Sequence, residues 1–266
     1  MIAARVIRRI ARERGLALDI VEKDYLLGWM LLCISRTSLS DFLAFKGGSA
    51  LSKIYFPLDW RLSEDLDFTL LTDEEMPSIA EKLAEEIPAI GEKWIPEVGL
   101  RFPRRPFANP GFVRGRLQYI GPVSRNNVRV EITREEYTGS IRKMKVPSSY
   151  EDYPEFRVNV YSLETILAEK IRSLLERERL RDWYDVWRLL KVVGDVASVS
   201  KELSLKLEGK GMECSDIKDF FPKGLVSRLE PHWEIGLVRL TSEKLPTMDR
   251  LLSETRSGLM DILSRI

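Results

Sequence analysis

The sequence predicts an α+β fold, helical at both ends around a mixed α/β centre, and three observations predict it. Residues 1–40 place apolar side chains at helical spacing, and the stretch RLSEDLDFTLLT alternates polar and apolar residues with the period of a half-buried strand. From Ser162 onward apolar residues again recur three and four apart. The expected boundaries are a helical lead-in at 1–40, an α/β core at 41–160 and a helical domain at 161–266.

In the lead-in, Ile7 and Ile10 mark one helix, Gly15 interrupts, and Leu16, Ile20, Leu27 and Leu31 mark a second that Asp19 is placed to cap. DFLAFKGGSALSKIY then reads as a short approach, a Gly-Gly turn and a helix starting at Ser49 to Leu51. The RLSEDLDF strand puts Asp65 and Asp67 on one face, with Leu66 and Phe68 turned to the core. A helix follows from Asp73 to about Ile90. The stretch from Trp94 to Ile120 is rich in Arg, Pro and Gly and predicts irregular structure with short strands. NNVRVEIT is a second alternating strand carrying Glu131, and KMKVPSSY and FRVNVYS read as edge structure. SLETILAEKIRSLLER, RDWYDVWRLLKVV, KELSLKLEG and a pair after Pro231 complete the chain as helices.

Composition narrows the function classes. The 266 residues are 44% hydrophobic and 31% charged, with 42 basic against 41 acidic side chains, so bulk charge favours no partner. Between Arg101 and Lys145, however, eleven Lys or Arg face three Glu, an excess of eight positive charges that attracts phosphate-bearing ligands if it forms one surface. Cys33 and Cys214 match no metal or redox spacing, which points to a reducing compartment and hence the cytoplasm. The apolar run YLLGWMLLCI is too short to span a bilayer, and MIAARVIRRIARERG lacks the apolar core and cleavage site of a signal peptide. His232 is the only histidine, which excludes histidine-rich zinc sites and leaves Ser-His-Asp hydrolysis dependent on one distant residue.

The chemistry concentrates in FKGGSALSKIYFPLDWRLSEDLDF. Paired carboxylates on a strand face suit a hard cation such as Mg²⁺, which takes one or two carboxylates together with substrate phosphates. With Glu131 on a neighbouring strand, three carboxylates could hold two metals about 3.5–4 Å apart. The plain alternative is a charged strand face of no special role. Gly47, Gly48 and Ser49 add a turn at which a phosphate can approach backbone amides, and Lys46 and Lys53 lie close in sequence, although Lys53 reads equally as a helix-surface lysine. This is not a Walker A loop, because no Gly-Lys-Ser/Thr follows at the required spacing. Further along, Lys170 falls on the apolar side of its helix and must find a partner, and Arg177, Arg181, Asp182 and Asp185 are near enough in sequence for a salt-bridge network or for a triphosphate contact. Trp94, Phe102 and Phe107, interspersed with arginines, are candidates for base stacking.

FKGGSALSK, RLSEDLDF, EKIRSLLER and RDWYD together resemble the AbiEii-like nucleotidyltransferase toxins of the DNA polymerase beta-like nucleotidyltransferase superfamily. The resemblance covers roughly Asp41 to Leu190, with Asp19 to Tyr25 as a familiar lead-in. It implies a nucleotidyltransferase-like mixed sheet core. It also implies a Mg²⁺-dependent enzyme, or one using Mn²⁺, that moves a nucleoside monophosphate from a nucleoside triphosphate to a hydroxyl, with tRNA or another RNA as acceptor and a cognate antitoxin as partner. Carried over by position, Asp65, Asp67, Lys170 and Asp182 are catalytic, with Asp185 the second match to the acid of the RD motif. Gly48 and Ser49 would hold the nucleotide phosphates, and Gly47, Lys53 and Arg177, read from their own positions in the sequence, are further candidates to bind the nucleotide. Asp65, Asp67 and Glu131 bind metal, with Glu135 and Glu136 as alternatives to Glu131. A silent nucleotide-binding regulator and a metal-dependent phosphohydrolase are the competing readings.

Overall fold

In a computed structural model of the chain, residues 1–214 and 216–266 are described and fall into two units. The first comprises Met1–Glu135, Ile141–Val160 and Leu240–Ser242, and the second Glu136–Ser140, Tyr161–Arg239 and Glu243–Ile266.

The first unit begins with α1 (Ala4–Arg14), which buries Ile7 and Ala11 and ends at Gly15, whose φ of +62° suits glycine at a helix terminus. In α2 (Leu18–Ile34) nearly every side chain is buried, so it serves as the core rather than as an amphipathic cover. Its N-cap is Ala17; Asp19 lies in the first turn, where a carboxylate still favours the positive end of the helix. β1 (Leu43–Lys46) leads into α3 (Gly47–Ala50), which runs on as a wider five-residue π turn from Leu51 to Tyr55. β2 (Asp65–Leu70) follows, then α4 (Met76–Trp94), which starts and ends a few residues later than the sequence suggests and carries Pro88 inside it.

The stretch expected to be irregular holds β3 (Phe107–Asn109) and the nine-residue strand β4 (Phe112–Ile120). Here Val113, Gly115, Leu117 and Tyr119 alternate inward. Gly115 disguised the pattern, yet the position must be small: a Cβ there would come within 2.7 Å of the Phe102 ring. β5 (Arg125–Thr133), β6 (Ile141–Lys145) and β7 (Arg157–Tyr161) complete a seven-stranded sheet in the order β3-β4-β5-β2-β1-β7-β6. β6 is an edge strand, but β7 is interior and pairs parallel with β1. The central strands are mixed: β1 and β2 run antiparallel, β2 and β5 parallel. Leu66, Phe68, Val128, Val130 and Ile132 bury one face of β2 and β5, and α4 contributes Met76, Ile79, Leu83 and Ile87 to the same apolar interior. At the turn between β4 and β5, the buried Glu22 of α2 accepts hydrogen bonds from the Val123 and Ser124 amides and from Ser124 Oγ.

The second unit is helical: α5 (Leu163–Glu176), α6 (Leu180–Val192), α7 (Val196–Glu208), α8 (Leu225–Leu229), α9 (Trp233–Leu237) and α10 (Met248–Leu263). Ser162 caps α5 by accepting a hydrogen bond from the Thr165 amide. Among the described residues no helix is long and apolar enough to cross a membrane.

Candidate active site

Strand alternation leaves one face of β1, β2, β5 and β4 polar, and the register sorts its charges into two transverse rows. Lys46, Asp67, Glu131 and Arg114 are successive cross-strand partners in one row. Asp65, Arg129 and Arg116 form the other. The paired carboxylates therefore sit beside arginines that the β5 and β4 sequences deliver to the same face.

Arg129 lies between the two aspartates, its Nη2 2.8 Å from Asp65 Oδ2 and 3.8 Å from Asp67 Oδ1. Glu131, in register with Asp67, is drawn toward β4, where Arg114 Nε donates to its Oε2 at 2.5 Å. Lys46 Nζ pairs with Glu135 at 3.0 Å. Burial, reinforced by Asp65 and Glu131, pushes the Asp67 carboxyl up to about 6 against the opposing pull of Arg129 and Lys46. A carboxylate crowded by two others in this way gains from a further cation.

The glycine turn abuts this pair. Gly47 has a φ of +74°, and a Cβ at that position would lie 3.0 Å from Asp67 Oδ2, so both its backbone angle and the nearness of the carboxylate call for glycine. At Gly48 a Cβ would meet Arg61 Nη2 at 2.9 Å and Ser63 Oγ at 3.2 Å. Ser49 is fully buried, and its hydroxyl donates to the Asp65 carbonyl, tying the turn to β2 rather than opening outward.

Asp65 and Asp67 supply hard oxygens on one partly exposed strand face, which fits a Mg²⁺ ion that retains waters and phosphate ligands. Among the described residues no three His, Cys, Asp or Glu side chains are gathered to enclose a metal on their own. Asp65 and Asp67 are the residues that could hold such an ion, and Glu131 is paired with Arg114.

Lys53 is placed differently from the surface or phosphate-binding position the sequence allows. It is buried, donates to the Asp24 carbonyl at 2.6 Å and pairs with Asp24 Oδ1 at 2.7 Å, while Tyr150 donates to Asp24 Oδ2 at 2.9 Å. Burial pulls the ammonium below its ordinary range, against the pull of Asp24.

In the helical unit Lys170, Arg177, Asp182 and Asp185 come together. Lys170 Nζ reaches Asp182 Oδ1 at 2.6 Å and Asp185 Oδ2 at 2.9 Å, and Arg177 Nε reaches Asp182 Oδ2 at 2.9 Å. Burial alone would raise the Asp182 carboxyl, but Lys170 and Arg177 hold it down to about 2. Glu136 belongs to this second unit. Of the aromatic candidates, Phe107 is 62% exposed, Phe102 packs at Gly115, and Trp94 lies under the Arg36 guanidinium at 5.4 Å.

Arg129 and Arg114 join the site through strand pairing that the sequence motifs do not mark. The signal was present, since an alternating strand that shows Glu131 on one face must show Arg129 there too.

A mixed sheet that carries paired aspartates next to a Gly-Gly-Ser turn defines the class of nucleotidyltransferase-like proteins, and the comparisons agree. The family model described as "Nucleotidyl transferase AbiEii toxin, Type IV TA system" matches residues 29–253. The chain belongs to this family of nucleotidyltransferase toxins and is a nucleotidyltransferase. Its fold is similar to that of MenT4, a nucleotidyltransferase toxin from Mycobacterium tuberculosis H37Rv, with a TM-score of 0.77 at 18% identity over 98% of this chain and 90% of that one. It is also similar to JHP933 from Helicobacter pylori, with a TM-score of 0.60 at 16% identity over 94% of each chain. A search of curated proteins finds no match to the chain.

Proposed function

We propose that the polar face of β2 binds a nucleoside triphosphate with Mg²⁺, or Mn²⁺ in its place, and transfers the nucleoside monophosphate to a hydroxyl of RNA, tRNA foremost. The observation that carries this reading is the contact of the glycine turn with the carboxylate pair: Gly47 lies against Asp67, and Ser49 ties the turn to Asp65. A phosphate held at the turn would face both aspartates.

When bound, the metal supplies positive charge at the transferring phosphoryl group and lowers the pKa of an oxygen it holds. Asp65 and Asp67 fix its position, and Gly47 leaves the backbone open to the phosphates. Arg129, Arg116 and Arg114 face the charge that develops on the phosphate oxygens. The acceptor hydroxyl loses its proton to a carboxylate and forms a bond to the alpha-phosphorus as the bond to pyrophosphate breaks. Lys170 and Asp182 enter the reading from the family resemblance, with Asp185 holding the Lys170 ammonium as a second anchor. As a member of a toxin family this protein has a cognate antitoxin as its expected partner.

RNA is favoured as acceptor by the surface beside the pair. Arg101, Arg116 and Arg125 are exposed on or next to β4 and β5, and the exposed Phe107 ring lies at the same sheet edge. The test incubates the protein with total tRNA, Mg²⁺ and each alpha-labelled nucleoside triphosphate in turn. Label is expected on RNA, falling as salt rises, and Arg116→Gln with Arg125→Gln should raise the RNA concentration needed for half-maximal labelling. Label confined to protein, or released as free monophosphate, would reject the RNA acceptor.

A further inference from the structure

Arg129 occupies the position that the function gives to a cation. Its guanidinium spans Asp65 and Asp67 at 2.8 and 3.8 Å, so the repulsion within the pair is already partly neutralised before any ligand arrives. Two further features set this arginine apart from an ordinary surface ion pair. Its Nε is shut away from solvent with no hydrogen-bond partner among the described residues, so the guanidinium is incompletely satisfied where it sits. Across the β4–β5 ladder its direct partner is Arg116, and like charges directly opposite each other in an antiparallel pair are destabilising. Arg116 itself is exposed and donates only a long hydrogen bond, 3.3 Å, to Asn127 Oδ1. An anion bridging the two arginines would relieve the like-charge opposition, and because Nε is closed to solvent, Arg129 can offer that nitrogen to it only by turning its guanidinium away from the aspartates.

We propose that Arg129 is an exchangeable counter-ion. It competes with a divalent cation for Asp65 and Asp67, and when the cation enters together with a triphosphate it turns, with Arg116, to the triphosphate oxygens. This rests on the proposed site at Asp65 and Asp67 and adds its consequence: the site resists free metal and accepts the metal–triphosphate complex as one ligand. The coupling is reciprocal, because whatever releases Arg129 from the carboxylates makes it available to phosphate.

Binding measurements separate this from a merely structural ion pair. Calorimetric titration with Mn²⁺ alone, and with Mn²⁺ as its equimolar complex with inorganic tripolyphosphate, is compared between wild type, Arg129→Gln and Arg129→Lys. Asp65→Asn with Asp67→Asn is the reference without a site, and circular dichroism verifies folding. Arg129→Gln is expected to bind free Mn²⁺ about five- to tenfold more tightly and the complex at least about fivefold more weakly, opposite changes within the usual range of coupling. Should Arg129→Gln fail to fold, Arg129→Lys reads the same exchange, since a lysine offers one compact nitrogen where the guanidinium offers several donors in one plane and so fits both the carboxylates and the triphosphate less well; tighter free Mn²⁺ and a weaker complex are again expected. Both affinities unchanged, or moving in the same direction, would overturn the exchange while leaving the carboxylate site standing. No Mn²⁺ binding by wild type in either form, or binding indifferent to the paired Asn substitutions, would overturn the site and the exchange together.

Discussion

Two clusters in the same unit use nearly the same residue types to opposite ends. Asp24, Lys53 and Tyr150 form a closed set in which the charges are buried and each is held at hydrogen-bond distance. Asp65, Asp67 and Arg129 form an open one: the side chains are about one-third exposed, and one guanidinium is shared unequally between two carboxylates, with the second contact beyond hydrogen-bond distance. The closed set holds α2 to the turn after the glycines and stabilises the fold. The open set leaves interactions unmade, and those unmade interactions are where a ligand can gain free energy.

The largest effect is expected at Lys53. Replacing it by Met leaves Asp24 buried with its counter-charge removed, and the expected loss is ~3–5 kcal/mol in denaturant unfolding. A loss under ~1 kcal/mol would mean that this cluster is not closed as described.

A smaller effect sharpens the contrast through acid. In the helical unit Asp182 is held down to about 2 from an ordinary 3.8. A lowered folded-state value contributes stability above the unfolded value and loses it as pH falls toward about 2, so ~2 kcal/mol should disappear across that window. Unfolding free energies measured from pH 5 to pH 2 should show Asp182→Asn losing this steep limb; an unchanged slope would contradict the assignment.

Asp67 should behave with the opposite sign. Its folded-state value is raised to about 6 from 3.8, so its favourable contribution is present below the ordinary value and is lost as pH rises through about 6. With a chelator present, Asp67→Asn should therefore stabilise the protein at pH 8 by ~3 kcal/mol and have little effect near pH 4. Thermal unfolding at the two pH values reads the difference, and destabilisation at pH 8 would show that Arg129 outweighs burial and the neighbouring carboxylates.

The smallest expected effect is Gly47→Ala, about 1–2 kcal/mol from the positive φ and the close approach to Asp67. Its stability cost should be modest beside a large loss of nucleotide binding. Equal nucleotide affinity in the two proteins would remove the turn from the site.

How much of this was legible depended on whether a residue's neighbours were local. The period-two pattern of RLSEDLDF placed Asp65 and Asp67 on one face, and the helical period put Lys170 on the apolar side of α5, where partners were required. β4 was hidden because Arg and Gly dilute its alternation, and the need for Gly115 comes from Phe102, a contact no local pattern reveals. Lys53 faces inward because the deeply buried α2 offers Asp24 beneath it, and Glu22 of the same helix is spent on the β4–β5 turn. The inward turn of Ser49 and the bridge made by Arg129 likewise depend on strand pairing across long separations.

The open cluster, and not the closed one, is proposed to carry nucleotidyl transfer. It is tested most directly by following label from an alpha-labelled nucleoside triphosphate onto acceptor RNA in a single turnover, with wild type and with Asp67→Asn, both verified as folded and supplied with saturating Mg²⁺. The variant is expected to be slower by about three orders of magnitude, equivalent to ~4 kcal/mol of lost transition-state stabilisation. A rate within a few-fold of wild type would contradict it.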